Sequence, residues 1–180
     1  MNKKIRTALE WLQAIFIAIV IAILIENMLF SFAVVSGQSM FPTLETEDRL
    51  LVARVPFIYK ELNMGDLVIF NPPNTLNKGE MFIKRVIATE NDHFLIKDGI
   101  LYINGEKQIE EYINEEEYLP RRYQYIEGIV PSNTLFVMGD NRNDSNDSRT
   151  FGFVSKENVK GKVLFKIWPL DEAKAFISPN

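Results

Sequence analysis

One long apolar stretch, from Trp11 to about Phe32, lies near the N-terminus, and no other segment of the chain matches it in length. Its uninterrupted part, Ala14 to Ile25, falls short of the roughly 20 residues a helix needs to cross a bilayer. Counting from Trp11 to Phe32 reaches that length and puts Glu26 and Asn27 near the outer interface. Lys3, Lys4 and Arg6 stand on the N-terminal side, which the positive-inside rule keeps in the cytoplasm. No good small-x-small motif closes the run, as one would in a cleaved leader. These features predict a cytoplasmic N-terminus at residues 1–10, a single transmembrane anchor at 11–32 and an extracytoplasmic domain at 33–180, with the lipid bilayer as a partner.

The part after the anchor reads as mainly β. Arg49–Val55, Leu67–Phe70, Glu80–Thr89, Phe94–Lys97, Ile100–Ile103, Thr134–Met138 and Lys162–Trp168 are strand-like segments separated by turn residues. Asp98-Gly99 and Asn104-Gly105 are two-residue hairpin signals. Many short strands with frequent turns predict an antiparallel, partly barrel-like fold. The polar stretch from about 91 to 131, which includes the acidic run Glu115-Glu116-Glu117, reads as a small β-hairpin insertion or second lobe. A net charge of -4 with no evident basic face argues against nucleic acid as a partner. The chain has no cysteine, so disulfides, thiol catalysis and thiolate metal sites are excluded.

Directly after the apolar stretch comes Val35-Ser36-Gly37-Gln38-Ser39-Met40-Phe41-Pro42-Thr43-Leu44, a serine in a turn bracketed by glycine and proline. A hydroxyl placed where the chain leaves a membrane can attack a bond in another emerging chain, provided a base activates it. The only histidine, His93, sits beside the Asn91-Asp92 turn and reads as a strand-edge residue. Lys84 is the other candidate. By the two-residue period of a strand, Phe82 and Val86 share its face, and Arg85 is adjacent. Desolvation and a neighbouring like charge would both lower its pKa towards a free amine. A strand lysine that snorkels to water is the competing reading, and local sequence does not separate the two. Val137 to Gly152 reads as a strand running into a dense polar loop. Asp140, Asp144 and Asp147 are oxygen donors there, but their spacing departs from the EF-hand pattern, and no metal is expected.

The serine segment, Met64-Gly65-Asp66-Leu67-Val68-Ile69-Phe70, Lys84-Arg85-Val86-Ile87 and the Gly139 to Gly152 loop occur in the order and spacing of bacterial type I signal peptidases. The chain resembles that family, in the short single-anchor form of its Gram-positive branch, from the anchor to about Trp168 and weakly between Asn91 and Pro131. The resemblance implies a membrane-bound serine endopeptidase with a Ser/Lys dyad. Such an enzyme needs no cofactor and cleaves signal peptides from secreted precursors after small residues of the Ala-x-Ala type, near the secretion translocase. It implies Ser39 as nucleophile, Lys84 as general base and Ser145 as the hydroxyl that orients the lysine amine. Asp147 and Arg149 correspond to a structural ion pair, and Asp140 and Asn141 to residues that hold the loop in shape. Val35, Met40, Leu44, Phe82 and Ile83 correspond to shallow pockets for small side chains, with ordinary core packing as the competing reading. Two positions depart from the family pattern. Gly37 stands where some members carry a serine that helps stabilise the oxyanion, and Ala88 stands where many carry glycine. A non-catalytic, membrane-anchored, peptide-binding β domain is the alternative; the presence of both Ser39 and Lys84 weighs against it.

Overall fold

The computed structural model describes residues 3–54, 62–73, 79–113 and 125–176 and, within the N-terminal helix, the side chains other than those of 3–9, 22 and 24–28. Glu115–Glu117, Val55 and the side chains of Lys3, Lys4, Arg6, Glu26 and Asn27 therefore lie outside the described residues.

Helix α1 (Lys3–Leu29) gives way directly to strand β1 (Phe30–Val34). The anchor expected to reach residue 32 therefore overlaps the sheet. Phe30 lies opposite Ala53 and Val34 opposite Arg49 of β2 (Arg49–Arg54). Hydropathy alone cannot find this boundary, because Phe-Ser-Phe-Ala-Val is apolar enough to prolong the run while also alternating as a strand does. Trp11, Leu12 and Phe16 of α1 are exposed. Among the described residues, no helix is long and apolar enough to cross a membrane.

The chain continues through β3 (Leu67–Phe70), β4 (Phe82–Thr89), β5 (His93–Lys97), β6 (Ile100–Ile103), β7 (Glu106–Lys107), β8 (Tyr125–Ile129) and β9 (Thr134–Met138). A short helix α2 (Ser148–Phe151), then β10 (Val154–Ser155), β11 (Val159–Trp168) and β12 (Lys174–Ala175) complete it. The larger sheet has the order β1-β2-β11-β3-β4-β9-β10, with β12 on β11, and the smaller has the order β7-β6-β5-β8. The dipeptides Asp98-Gly99 and Asn104-Gly105 turn the chain between strands of the smaller sheet, all four residues at positive φ. Pairing of opposite sense throughout matches the antiparallel expectation.

In a flat sheet β1 and β4, four steps apart, would stand roughly 19 Å from each other at about 4.8 Å per step. Register shifts in β11 and β4 bend the strands, and the sheet curls until the loop after β1 reaches β4. Strand β3 is apolar at every position because both its faces are covered. Leu67 and Ile69 join Met40, Leu44 and Val52 on one side, and Val68 and Phe70 join Val86 and Val137 on the other. A third cluster seats the smaller sheet on β4 and β9, with Phe94 stacked on Phe136 at 4.1 Å and Phe153 edge-on to both. Ala88, one of the two departures noted in the sequence, is a fully buried member of this cluster, and the turn follows it at Glu90–Asn91. Truncation of Phe136 to alanine is expected to destabilise the fold by about 3–5 kcal/mol, read as a lower midpoint in urea.

Candidate active site

Ser39 is held from below and behind. Val35 and Asp48 close the loop that carries it, through Val35 N–H to the Asp48 carbonyl and Glu47 N–H to the Val35 carbonyl. Met40 and Leu44 plug the loop into the apolar cluster under β2 and β3. The Ser39 carbonyl accepts from the Asn141 N–H at 3.1 Å, and the Asn141 side-chain amide donates to the Gln38 carbonyl at 3.2 Å. The Ser39 N–H has no partner among the described residues.

Lys84 enters from β4, where it lies opposite Val68 and is only 3% exposed. Its Nζ donates to Ser39 Oγ at 2.6 Å and to the Ile83 carbonyl at 3.1 Å, and stands 5.2 Å from the centre of the Phe82 ring. Among the described residues, no carboxylate bonds it directly. Burial pushes the amine down from 10.5 to about 8; the more distant charges of Asp147 and Asp140 oppose this, and Arg149 adds to it. The depressing like charge is thus Arg149, from the polar loop, and not the adjacent Arg85. Alternation along β4 turns Arg85 to the other face, where it grips Asp140 through two hydrogen bonds at 2.8 and 2.6 Å. An unprotonated amine 2.6 Å from a hydroxyl can accept its proton.

The loop from Gly139 to Asp147 is pinned at both ends. Asp147 caps α2, accepts from the Gly139 N–H at 3.0 Å and pairs with Arg149 through two bonds of 2.8 Å. Burial alone would raise the Asp147 carboxyl, but the Arg149 bonds and charge and the Gly139 N–H hold it below the ordinary carboxylate range. The carboxylates weighed as oxygen donors at Asp140 and Asp147 are therefore occupied by arginines. A side chain at Gly139 would strike Ser145 Oγ and the Ser39 carbonyl oxygen, so only glycine lets these groups crowd together. Ser145 Oγ is buried and among the described residues makes no hydrogen bond of good geometry, although it lies near enough to the Asp147 carboxylate to help hold that group down; it does not bond to Lys84. His93 is remote in kind: it lies on the smaller sheet and bonds Glu127 at 2.8 Å.

Ser39 and Lys84 lie in an open cleft of about 390 Å³. Of the five expected pocket residues, Val35, Met40, Phe82 and Ile83 line it. Leu44 does not; it is wholly buried in the core, because the helical turn from Met40 to Leu44 points it inward. Gln38, Met81, Asp144 and Asn146 also border the cleft, and the sequence carried no pattern that set them apart.

Comparison with known proteins bears on this arrangement. A family model described as "Signal peptidase, peptidase S26" matches residues 8–168. The chain belongs to this signal peptidase family. "Probable signal peptidase I-1" of Synechocystis sp. is 38% identical over 165 residues, spanning 89% of this chain and 82% of that protein. "Signal peptidase IB" of Staphylococcus aureus is 33% identical over 186 residues, spanning 96% of this chain and 95% of that one. "Thylakoidal processing peptidase 1, chloroplastic" of Arabidopsis thaliana is 33% identical over 93% of this chain, which spans 51% of its length. A crystal structure of a signal peptidase I from Enterococcus faecalis V583 is 30% identical, covering 57% of this chain and 95% of that one with a TM-score of 0.48.

Membership in the signal peptidase family makes the chain a peptidase, and the buried lysine then has a measurable cost. Between pH values of about 8 and 10.5 the unfolded chain binds a proton at Lys84 that the folded one does not. Stability therefore rises with pH across that window, and the cost is fully present below it. Lys84→Met keeps the bulk and removes the charge. It is expected to stabilise the protein at neutral pH by about 1–3 kcal/mol, with the gain fading between about pH 8 and 10.5 and absent above that window. Thermal melts of both proteins across pH check this.

Proposed function

We propose that the chain removes signal peptides from precursor proteins emerging on the outer side of a membrane, using Ser39 as nucleophile and Lys84 as general base. The observation that carries this reading is the 2.6 Å contact between Lys84 Nζ and Ser39 Oγ at a cleft. Neutral Lys84 takes the Ser39 proton, and Oγ adds to the scissile carbonyl carbon. The resulting ammonium then gives its proton to the leaving amine as the C–N bond breaks. In the second half Lys84 takes a proton from water, whose oxygen adds to the acyl carbon, and the ammonium returns that proton to Ser39 Oγ as the C–Oγ bond breaks, restoring serine and neutral amine. With glycine at position 37, the oxyanion falls to backbone donors, of which the unpartnered Ser39 N–H is the nearest at hand. Ser145 is the hydroxyl that this scheme assigns to steadying the amine; its buried Oγ lies beside the Ser39 carbonyl across Gly139 and turns to Lys84 only in the working site.

Substrate binds as an extended strand. From Phe82 to Lys84, β4 pairs with β3 alone, because pairing with β9 starts only opposite Arg85. That open edge offers main-chain bonds to an added strand. Val35, Met40, Phe82 and Ile83 line the cleft, and this reading assigns them to pockets for small side chains such as alanine. The exposed apolar side chains of α1 support a membrane anchor, and Lys3, Lys4 and Arg6 ahead of it favour an N-terminus in the cytoplasm. The outer face of the curled sheet supports contact with lipid: Phe32 lies across Leu51 from Phe165, and Val34 across Arg49 from Trp168. The bilayer and the precursors, close to the secretion translocase, are the partners in this reading.

The deciding experiment is cleavage of a precursor with an Ala-x-Ala site by purified protein. Ser39→Ala and Lys84→Ala are each expected to lower kcat/KM on the order of 10³-fold or more. Lys84→Arg should not rescue, because a guanidinium stays protonated. Substantial cleavage by Lys84→Ala rules the dyad out, and peptide binding without cleavage by the wild type favours the non-catalytic alternative. In the same assay log kcat/KM should rise with unit slope and level off near pH 8, since protonation of the amine removes the base as pH falls. A limb placed instead near pH 10.5 overturns the desolvated-lysine mechanism.

A further inference from the structure

The chain leaving β7 does not stay on the smaller sheet. Gln108 still bonds the Leu101 carbonyl of β6, and the residues after it, to 113, reach Arg85 on β4 and Arg142 in the active-site loop. Arg85, next to Lys84, is held edgewise by Asp140 and by the Gly65 carbonyl at 2.9 Å. Its flat face is covered by the Tyr112 ring, with the guanidinium carbon 3.9 Å from the ring centre. Arg142 donates to the Gly139 carbonyl at 3.1 Å and forks onto both Glu110 carboxylate oxygens, its Nη1 at 2.9 Å from Oε2 and its Nη2 on Oε1. The Tyr112 hydroxyl donates to Glu110 Oε1 at 2.7 Å and so joins the two halves. Burial, with the Glu110 charge beside it, pushes that hydroxyl far above its ordinary value, so it stays a neutral donor.

This tie is polar rather than a matter of filling space. A cavity of about 100 Å³ remains beneath the segment, lined by Gly65, Ile87, Leu101 and Tyr112 among others. Two buried cations and two buried anions, Arg85, Arg142, Asp140 and Glu110, balance there. Removing one member of such a set disturbs the others. Beyond Asp140 the same loop supplies the N–H that holds the Ser39 carbonyl. The segment thus touches neither Ser39 nor Lys84 and yet bears on the supports of both.

Resting on the reading of Ser39 and Lys84 as the dyad, we propose that Tyr112 and Glu110 are positioning residues of the active site. Through them the smaller sheet fixes Arg85 on β4 and Arg142 in the loop, and so sets the approach of Lys84 to Ser39. An arginine stacked on an aromatic face away from water is well oriented, and a small misplacement of reacting groups is costly in rate.

The test uses the full chain in detergent with the same precursor. Tyr112→Phe keeps the ring over Arg85 and loses only the hydroxyl bond to Glu110, so its kcat should fall by a smaller factor than in the leucine variant, with a smaller move of the rising limb. Tyr112→Leu removes the ring; kcat should fall about tenfold while KM changes little. Its limb should also move to higher pH. The charges that face Lys84 are Asp147, Asp140 and Arg149, and a loosened Arg85 neutralises Asp140 less, which favours the ammonium form. Should the leucine variant fail to fold, Tyr112→Met, which keeps bulk without a π face, is read in its place with the same expected direction. A folded variant with wild-type kcat overturns the proposal. So does a fall in kcat with an unmoved limb, because partial unfolding lowers the active fraction without retuning the amine. Loss of cleavage in Lys84→Ala beside an unaffected Tyr112→Leu overturns the role of Tyr112 alone, whereas cleavage that survives Lys84→Ala overturns the dyad and the proposal with it.

Discussion

Two adjacent cations on one strand are treated in opposite ways. Arg85 receives a bidentate carboxylate, a carbonyl and an aromatic face, so its burial is compensated. Lys84, one position earlier and turned to the other face, receives a hydroxyl and a carbonyl and no direct counter-ion. That difference sets the chemistry. A lysine paired as Arg85 is paired would hold its proton at any physiological pH; an amine left with neutral partners in a dry site gives it up near pH 8. The acidic groups are close enough to temper the shift and are themselves engaged, Asp140 by Arg85 and Asp147 by Arg149. The ion pairs behind the site thus let a lysine sit among carboxylates without being claimed by one.

The curl of the larger sheet serves the same end. Met40 and Leu44 lock the serine loop to the core under β2 and β3, and the Asn141 N–H ties its carbonyl to the polar loop. Each support comes from a different part of the chain, and Gly139 is the point at which they meet, with no room for a side chain.

Much of this was legible in the sequence where local chemistry decides the outcome. The Asp-Gly and Asn-Gly turns, the wholly apolar Leu67–Phe70 and the strand around Lys84 follow from backbone preference and periodicity. Ser39 and Lys84 stood out by chemical need and by family spacing, and they lie in contact. What was missed depends on long-range placement. The end of α1 was set three residues late because β1 is apolar enough to mimic a helix. Leu44 was read as a pocket residue because the direction of one helical turn is invisible in sequence. Arg149, rather than Arg85, presses on Lys84 because alternation sends Arg85 away while the loop brings Arg149 back. Strand β8, with glutamate and glycine inside it, carries little strand signal and forms because β5 offers it an edge.

Ser39 and Lys84 are 45 residues apart in the chain and four strands apart in the sheet. Neither the loop nor the strand contains the other, and nothing local brings them together. A chain with β4 formed and the sheet still open would carry an ordinary, water-exposed lysine and an ordinary serine. Their contact exists only in the closed sheet, so the proposed dyad is a property of the complete tertiary fold rather than of either segment. Opening the sheet at any step between β1 and β4 draws the two groups apart and returns the lysine to water.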